Sequence, residues 1–212
     1  MKRLHWPVVC AGLLLFGIVF GAGSAVSAQT FTEGKHYTRV ADESSPRKPG
    51  EKIEVREFFW YGCPHCYTLE PHIKNWKKPK DIELITTPAV LGKNWVAHAY
   101  AYYALKDLGR LEELHEVLFD ALHAERKRLY TAEQLAEFFE EHGVDKDKFK
   151  QAFESFSVNT QVKRAERLGK AYSIKSVPTF VIGGKYMTSP SMVDSYTTFF
   201  KVVDYLVERA RG

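Results

Sequence analysis

Three cysteines are all that the 212 residues contain, and one of them, Cys10, lies close to the N-terminus. The other two, Cys63 and Cys66, are too few and too close together for a structural disulfide framework. A loop that short restrains the unfolded chain very little. An excess of one charge is missing as well. The formal net charge is +4, and Lys2 and Arg3 are the only charged residues of the first 28, which leaves 28 basic against 26 acidic side chains in the rest. That balance speaks against a nucleic-acid partner or an anionic membrane surface. The short run Arg126-Lys127-Arg128 reads as a solvated helix end. There is no internal repeat, no low-complexity tract, and beyond residue 28 no stretch apolar enough to cross a bilayer. With 45% hydrophobic and 26% charged residues, the composition fits one globular core, or one core carrying an insertion.

The first 28 residues have the anatomy of a secretory signal. Lys2 and Arg3 form a positive start, an apolar stretch runs from about Val8 to Phe20, and small residues gather from Gly21 to Ala25. Val26-Ser27-Ala28 presents short side chains where a signal peptidase reads, so cleavage after Ala28 is expected. The competing reading is a retained anchor, because with Ala22 to Val26 the apolar span approaches bilayer length. Cys10 has no small residue before it, which makes it a poor lipid-attachment site, and it leaves with the signal. The exported chain then holds a single CxxC, and its use is reactivity.

Phe31, Tyr37 and Val40 suggest a short first strand, and Ser44 to Gly50 a loop. Glu51 to Tyr61 is a strand whose two alternating faces both turn aromatic toward its end, as in a central strand buried on both sides. Cys63 follows, and Tyr67 to Trp76 reads as a helix. Ile82 to Thr87 is a second strand. Four short amphipathic helices are expected next: one capped by Asn94, one with Leu111, Leu114, Leu118 and Leu122, one opened by the capping box Thr131 and Gln134 and closed by Gly143, and one capped by Asp145 with Phe149, Ala152, Phe153 and Phe156 on its core face. A helix from about Thr160 to Tyr172 leads to a strand beginning at Pro178. Gly183-Gly184 reads as a two-residue hairpin turn. Ser189 and Pro190 open a last helix. The order is βαβ, an inserted all-helical block, then ββα. The expected divisions are a signal over 1–28, the first part of the α/β fold over 29–90, the helical insertion over 91–158, and the second part over 159–212.

A CxxC at a strand-to-helix junction places two thiols one turn apart at a helix N-terminus, within bonding range of each other. There the free N–H groups and the helix dipole favour an anion. Cys63, at the very end, is the expected nucleophile; Cys66, one turn in, is the more buried resolving thiol. His65, beside Cys63, adds to thiolate stability, which favours the reduced protein and makes the disulfide a stronger oxidant. Pro64 preorganises the first turn and has no N–H to leave unpaired. Pro178 is a candidate cis proline placed against the CxxC, with the Val177 backbone open to an extended peptide; spacing alone admits either isomer. Glu57, in the middle of a buried strand, is either a proton relay for Cys66 or one half of a structural ion pair. Zinc would need two further ligands. His72, His98, His115, His123 and His142 are scattered and read as ordinary helix histidines. No metal or cofactor is called for.

Glu57 to Tyr67, containing Cys63-Pro64-His65-Cys66, resembles the active-site segment of the DsbA family of bacterial periplasmic disulfide oxidoreductases. Val177-Pro178-Thr179 resembles that family's cis-proline loop, and Val181 to Tyr186 also matches. The resemblance extends over nearly all of the exported chain. It implies a thioredoxin fold with an inserted all-helical domain, in the periplasm, and a monomer. It implies a disulfide donated to unfolded exported proteins with free cysteines, then renewed by a DsbB-like, quinone-linked membrane oxidase. Glu57 corresponds to the family's buried acid. One departure is that Leu84-Ile85-Thr86-Thr87-Pro88 carries no lysine where some members place one near that acid. Two other readings are an isomerase or reductase, whose extra N-terminal domain the stretch between the expected signal and the first confident strand is too short to form, and a holdase with an incidental CxxC, which a double serine variant would expose.

Overall fold

The computed structural model describes residues 1–2, 30–40 and 50–212. The expected signal, its cleavage site and most of the 44–50 loop lie outside them. The sheet is assembled from strands distant in sequence: β1 (Thr38–Arg39), β2 (Ile53–Phe59), β3 (Ile82–Pro88), β4 (Thr179–Ile182) and β5 (Tyr186–Thr188). Their spatial order is β1-β5-β4-β2-β3, with β2 parallel to β3 and antiparallel to β4. Strand β2 is therefore paired on both edges, and all but one of its residues are buried. This is why its sequence is apolar on both alternating faces.

Helix α1 (Pro64–Asn75) packs Cys66, Leu69 and Ile73 inward. Ile53, Val55, Leu69 and Ile73 share one core with Phe199, Val203 and Leu206 of the C-terminal helix. Between β3 and β4 stand α2 (Lys93–Asp107), α3 (Leu111–His123), α4 (Ala132–Glu141), α5 (Lys146–Phe153) and α6 (Phe156–Ala171). Their own core joins Leu114, Leu118, Phe119, Leu135, Phe139 and Phe149, and it continues without a break into Phe59, Tyr61 and Cys66. The helical block thus builds one wall of the CxxC region. Helix α7 (Tyr196–Arg211) closes the chain.

Several local expectations are met. The Thr131–Gln134 capping box is formed in both directions, and Asp145 caps α5. Gly143 follows α4 at φ 78°, where only glycine is unstrained.

Others are corrected. Asn94 does not cap α2; Gly92 holds that position. Phe156 is not on the α5 stripe. The chain breaks after Phe153, Ser155 caps a new helix through Val158 N–H, and Phe156 stands 84% exposed. A serine with a free backbone N–H three residues on outcompetes continuation of the previous helix. Ser189 and Pro190 open only a 3-10 turn, Pro190–Met192, and Ser195 caps α7. In the hairpin, Gly183 and Gly184 both adopt positive φ (58° and 69°). The register nevertheless pairs Ile182 with Tyr186, so Lys185 joins a three-residue connection. Gly183 N–H is spent on Glu54 O of β2, at 2.8 Å.

Candidate active site

The chain leaves β2 through a tight turn in which Cys63 N–H donates to Trp60 O at 3.0 Å. Gly62 is required there by close approach: a Cβ would lie 2.4 Å from the Trp60 ring. That ring stacks in turn on Trp95, with centroids 4.3 Å apart. Cys63 is the N-cap of α1 in extended conformation (φ −92°, ψ 115°), with Pro64 at the first helical position. Both cysteines are free thiols. Cys63 keeps 8% of its surface exposed and Cys66 none.

The two thiols differ sharply in acidity. Cys63 is lowered to about 6, chiefly because Cys66 S–H donates to its sulfur; burial opposes this, and the backbone N–H groups of Cys66 and His65 and the nearby His65 ring add to it. Cys66 is pushed far up, first by burial, then by donating to Cys63 and by the negative charges of Cys63 and Glu57. The anion therefore settles on the outer sulfur.

Register brings the second half of the chain to the same point. Phe58 pairs with Thr179 across the antiparallel β2–β4 ladder, so the residues just before β4 lie beside the end of β2, where Cys63 emerges. Val177-Pro178 is a cis peptide. As a thiol, Cys63 donates to Val177 O at 3.5 Å. A cavity of about 720 Å³ opens beside them, lined by His65, His72, Val177, Pro178, Asp194 and Tyr196.

Glu57 shares a strand face with Val55 and Phe59, and it is 1% exposed. Burial holds its carboxyl well above the ordinary 4.5, and the charge of Glu70 pushes the same way. Its Oε1 has no hydrogen-bond partner. No ion pair to Glu57 occurs among the described residues; the adjacent Arg56 is taken by Glu54 (2.7 Å) and Thr87 (2.7 Å). The structural ion-pair reading of Glu57 is therefore dropped. Thr86 stands opposite Glu57 on β3, which is where the missing lysine would have been informative.

Glu57, Cys63, Pro64, His65, Cys66, Val177 and Pro178 are thus gathered at one end of β2. Sequence reasoning missed three neighbours. Glu70 sits one turn beyond Cys66 on α1, and its i, i+4 spacing was a readable signal. His115 and His123, both on α3, hold Tyr61 at its two ends. Tyr61 Oη lies 2.7 Å from His115 Nδ1, and Tyr61 O lies 2.7 Å from His123 Nε2. Nothing in their spacing separated these two from the other helix histidines.

Comparison with known proteins is consistent with this geometry. The model of the DSBA-like thioredoxin domain matches residues 69–199. The chain belongs to the DsbA family. The matched segment begins just past Cys66, but full-length relatives carry the likeness across the rest. Thiol:disulfide interchange protein DsbA of Pseudomonas aeruginosa is 37% identical over 100% of this chain and 98% of its own. DsbA of Azotobacter vinelandii is 38% identical over 100% and 99%. The crystal structure of Pseudomonas aeruginosa DsbA superposes with a TM-score of 0.79 at 39% identity, covering 85% of this chain and 95% of that one. DsbA from Xylella fastidiosa gives 0.75 at 29%, covering 83% and 95%.

This DsbA-family chain is a thiol:disulfide oxidoreductase with a thioredoxin fold carrying a helical insertion. Among its described residues, no group of three or more His, Cys, Asp or Glu side chains is placed to hold a metal ion.

Proposed function

We propose that the protein works as an oxidase, with Cys63 as the attacked and attacking sulfur and Cys66 as the resolving one. The observation that carries this reading is the split between the two thiols, Cys63 at about 6 and Cys66 driven far up by burial. In the disulfide form, a substrate thiolate attacks Cys63 Sγ. The Cys63–Cys66 bond breaks, and Cys66 leaves as a thiolate that takes a proton from Glu57. A second substrate thiolate then attacks the substrate sulfur of the mixed disulfide. The substrate disulfide forms, and Cys63 leaves as a stable thiolate. Two electrons have moved from the substrate dithiol to the Cys63–Cys66 pair.

Direction follows from acidity. At pH 7 a thiol at about 6 is mostly ionised, whereas one at the ordinary 9.0 is not. The reduced form gains about tenfold from this, which is about 30 mV for a two-electron couple. Val177 O and the cleft beside Pro178 suit an extended peptide laid across Cys63. Its substrates on this reading are unfolded exported proteins with free cysteines. A DsbB-like, quinone-linked membrane oxidase restores the disulfide. The signal anatomy of residues 1–28, cleavage after Ala28 and residence in the periplasm belong to the same reading. So does the division into 29–90, 91–158 and 159–212.

The test is to titrate the thiolate absorbance of the reduced protein and to measure its potential against glutathione. The expected midpoint is near 6, with a potential well above the roughly −270 mV of thioredoxin. A midpoint at the ordinary thiol value would overturn the oxidase reading.

A further inference from the structure

Helix α6 carries a side that neither the core nor the exchange chemistry uses. Phe156, Thr160, Lys163, Arg164, Arg167 and Lys170 are all exposed. At 3.6 residues per turn these positions fall within about a third of the helix circumference. Val158, Val162 and Ala165 bury the opposite side. At 1.5 Å per residue the row is about 21 Å long. Phe156 stands at its N-terminal end, 84% exposed. Its exposed neighbours on the helix, Ser157 and Thr160, are polar.

The cations of this row are little engaged. Lys170 pairs with Glu166 at 2.8 Å on the surface, a contact of small worth in water. Lys163, Arg164 and Arg167 make no ion pair among the described residues, and neither does Lys175, exposed just past the helix. Glu166 borders the row on one flank. Asp107 borders the other, where it accepts from Ser157 Oγ (2.8 Å) and Gln161 Nε2 (2.9 Å). Glu154 lies just before the N-cap. The near-even charge of the whole chain argues against an anionic surface only if the charges are evenly spread, and they are not. Acids collect on α4, where Glu133 is paired with Lys146 and Lys150, Glu137 with Lys146, and Glu141 with Lys127.

We propose that this side of α6 is a docking surface for an anionic phospholipid bilayer: the Phe156 ring enters the boundary between headgroups and acyl chains while Lys163, Arg164, Arg167 and Lys170 contact the phosphates. Charge complementarity and shape favour this occupant. An aromatic ring together with a row of cations on an exposed helix suits a membrane interface, and anionic leaflets attract such cations. A folded partner needs an apolar patch of several hundred Å², which one ring between Ser157 and Thr160 does not supply. A second copy of this chain would offer acids on α4 that are already paired. The contact is peripheral and reversible, since one ring and a few charges fall far short of a stable anchor. It also orients the molecule. Past Lys175 the chain enters Ser176, Val177 and Pro178, which line the cleft beside Cys63. The row therefore ends at the rim of that cleft, and a protein held by α6 keeps the rim near the headgroups. This holds whichever direction the dithiol exchange runs.

The experiment is co-sedimentation with vesicles of phosphatidylcholine, either alone or with one-third phosphatidylglycerol. The protein is purified from the exported fraction of cells producing the full chain. At low salt it should bind the anionic vesicles and not the neutral ones, and binding should fall steeply by about 0.5 M salt, where screening reaches a few Å. A cation near an anionic surface contributes roughly fivefold, so Arg164→Gln combined with Arg167→Gln should weaken binding by about 25-fold. Phe156→Ser should weaken it by about fivefold and leave its salt dependence in place. Lys78→Gln combined with Lys80→Gln takes the same charge from exposed positions beyond α1. Being off the face, it should change binding by less than about twofold. The Cys63 thiolate titration stays in place in all three, because none of these residues touches the dithiol. Absence of binding at low salt, equal binding to neutral vesicles, undiminished binding in the Arg164 and Arg167 variant, or an equal loss in the Lys78 and Lys80 variant overturns the proposal. So do lipid-free dimers that Phe156→Ser dissolves, which would give the face to a second copy. Should the Arg164 and Arg167 variant not fold, Lys163→Gln combined with Lys170→Gln decides on the same terms.

Discussion

The sulfur of Cys63 lies 3.5 Å from the carbonyl oxygen of Val177, 114 positions further along the chain. An incoming peptide therefore meets one reactive sulfur and one open backbone edge together. The second sulfur, three residues from the first, is sealed beneath. This asymmetry generates the expectations that follow.

The acidity of Cys63 owes most to the hydrogen bond from Cys66. Cys66→Ala should raise the Cys63 titration midpoint above 6, whereas Cys66→Ser, which keeps a donor, should raise it less. Cys63→Ser should abolish any thiolate signal near neutrality, since Cys66 is held protonated by burial. Ultraviolet thiolate absorbance against pH reads all three. Equal midpoints for the alanine and serine variants would show that the donor is irrelevant.

The same lowered acidity links redox state to stability. A thiol whose folded value lies below its unfolded one stabilises the fold fully above the unfolded value, 9.0, and stops doing so as pH falls through about 6. The full effect is roughly 4 kcal/mol, of which roughly 1.4 kcal/mol is present at pH 7. Denaturant unfolding of the reduced protein against Cys63→Ser, from about pH 5 to about pH 9, should show the gap widening with pH. A flat difference would contradict it. Above 9.0 the sign reverses for Cys66, which ionises more readily unfolded than folded.

Glu57 carries the opposite sign. Its folded value lies above the unfolded one, so its contribution is favourable only below the unfolded value and turns unfavourable as pH rises. Glu57→Gln should therefore stabilise the protein at neutral pH, by about 1–3 kcal/mol, while slowing the disulfide exchange in which Cys66 takes a proton. Loss of stability on this substitution would mean that the carboxylate has a partner the fold depends on.

Two phenylalanines test the break between α5 and α6. Phe149→Ala empties a fully buried site and should cost about 3–5 kcal/mol. Phe156→Ser alters a side chain that is 84% exposed and should change stability by less than about 0.5 kcal/mol. A large loss at Phe156 would return it to the core stripe that its spacing suggests.

Much of this molecule was legible from local rules. The CxxC at a helix start, the two-sided apolar strand, the Thr131–Gln134 box and the positive-φ glycines each follow from chemistry confined to a few neighbouring residues. Where local rules failed, two options lay close in energy. Ser155 starting a helix and α5 continuing through Phe156 differ by one capping bond. A two-residue and a three-residue hairpin differ by where Gly183 spends its N–H, and β2, outside the hairpin, decides that.

The sequence alone dictates which sulfur is outermost, because that depends only on position along one helix. It also determined that β2 is covered on both faces, because burial is written in the side chains. Packing across the whole fold was needed to set Val177–Pro178 in the cis form against Cys63 and to leave Glu57 without a cation among the described residues. Those facts depend on pairings between residues tens to more than a hundred positions apart. Register and packing set such distances, and no spacing along the chain encodes them.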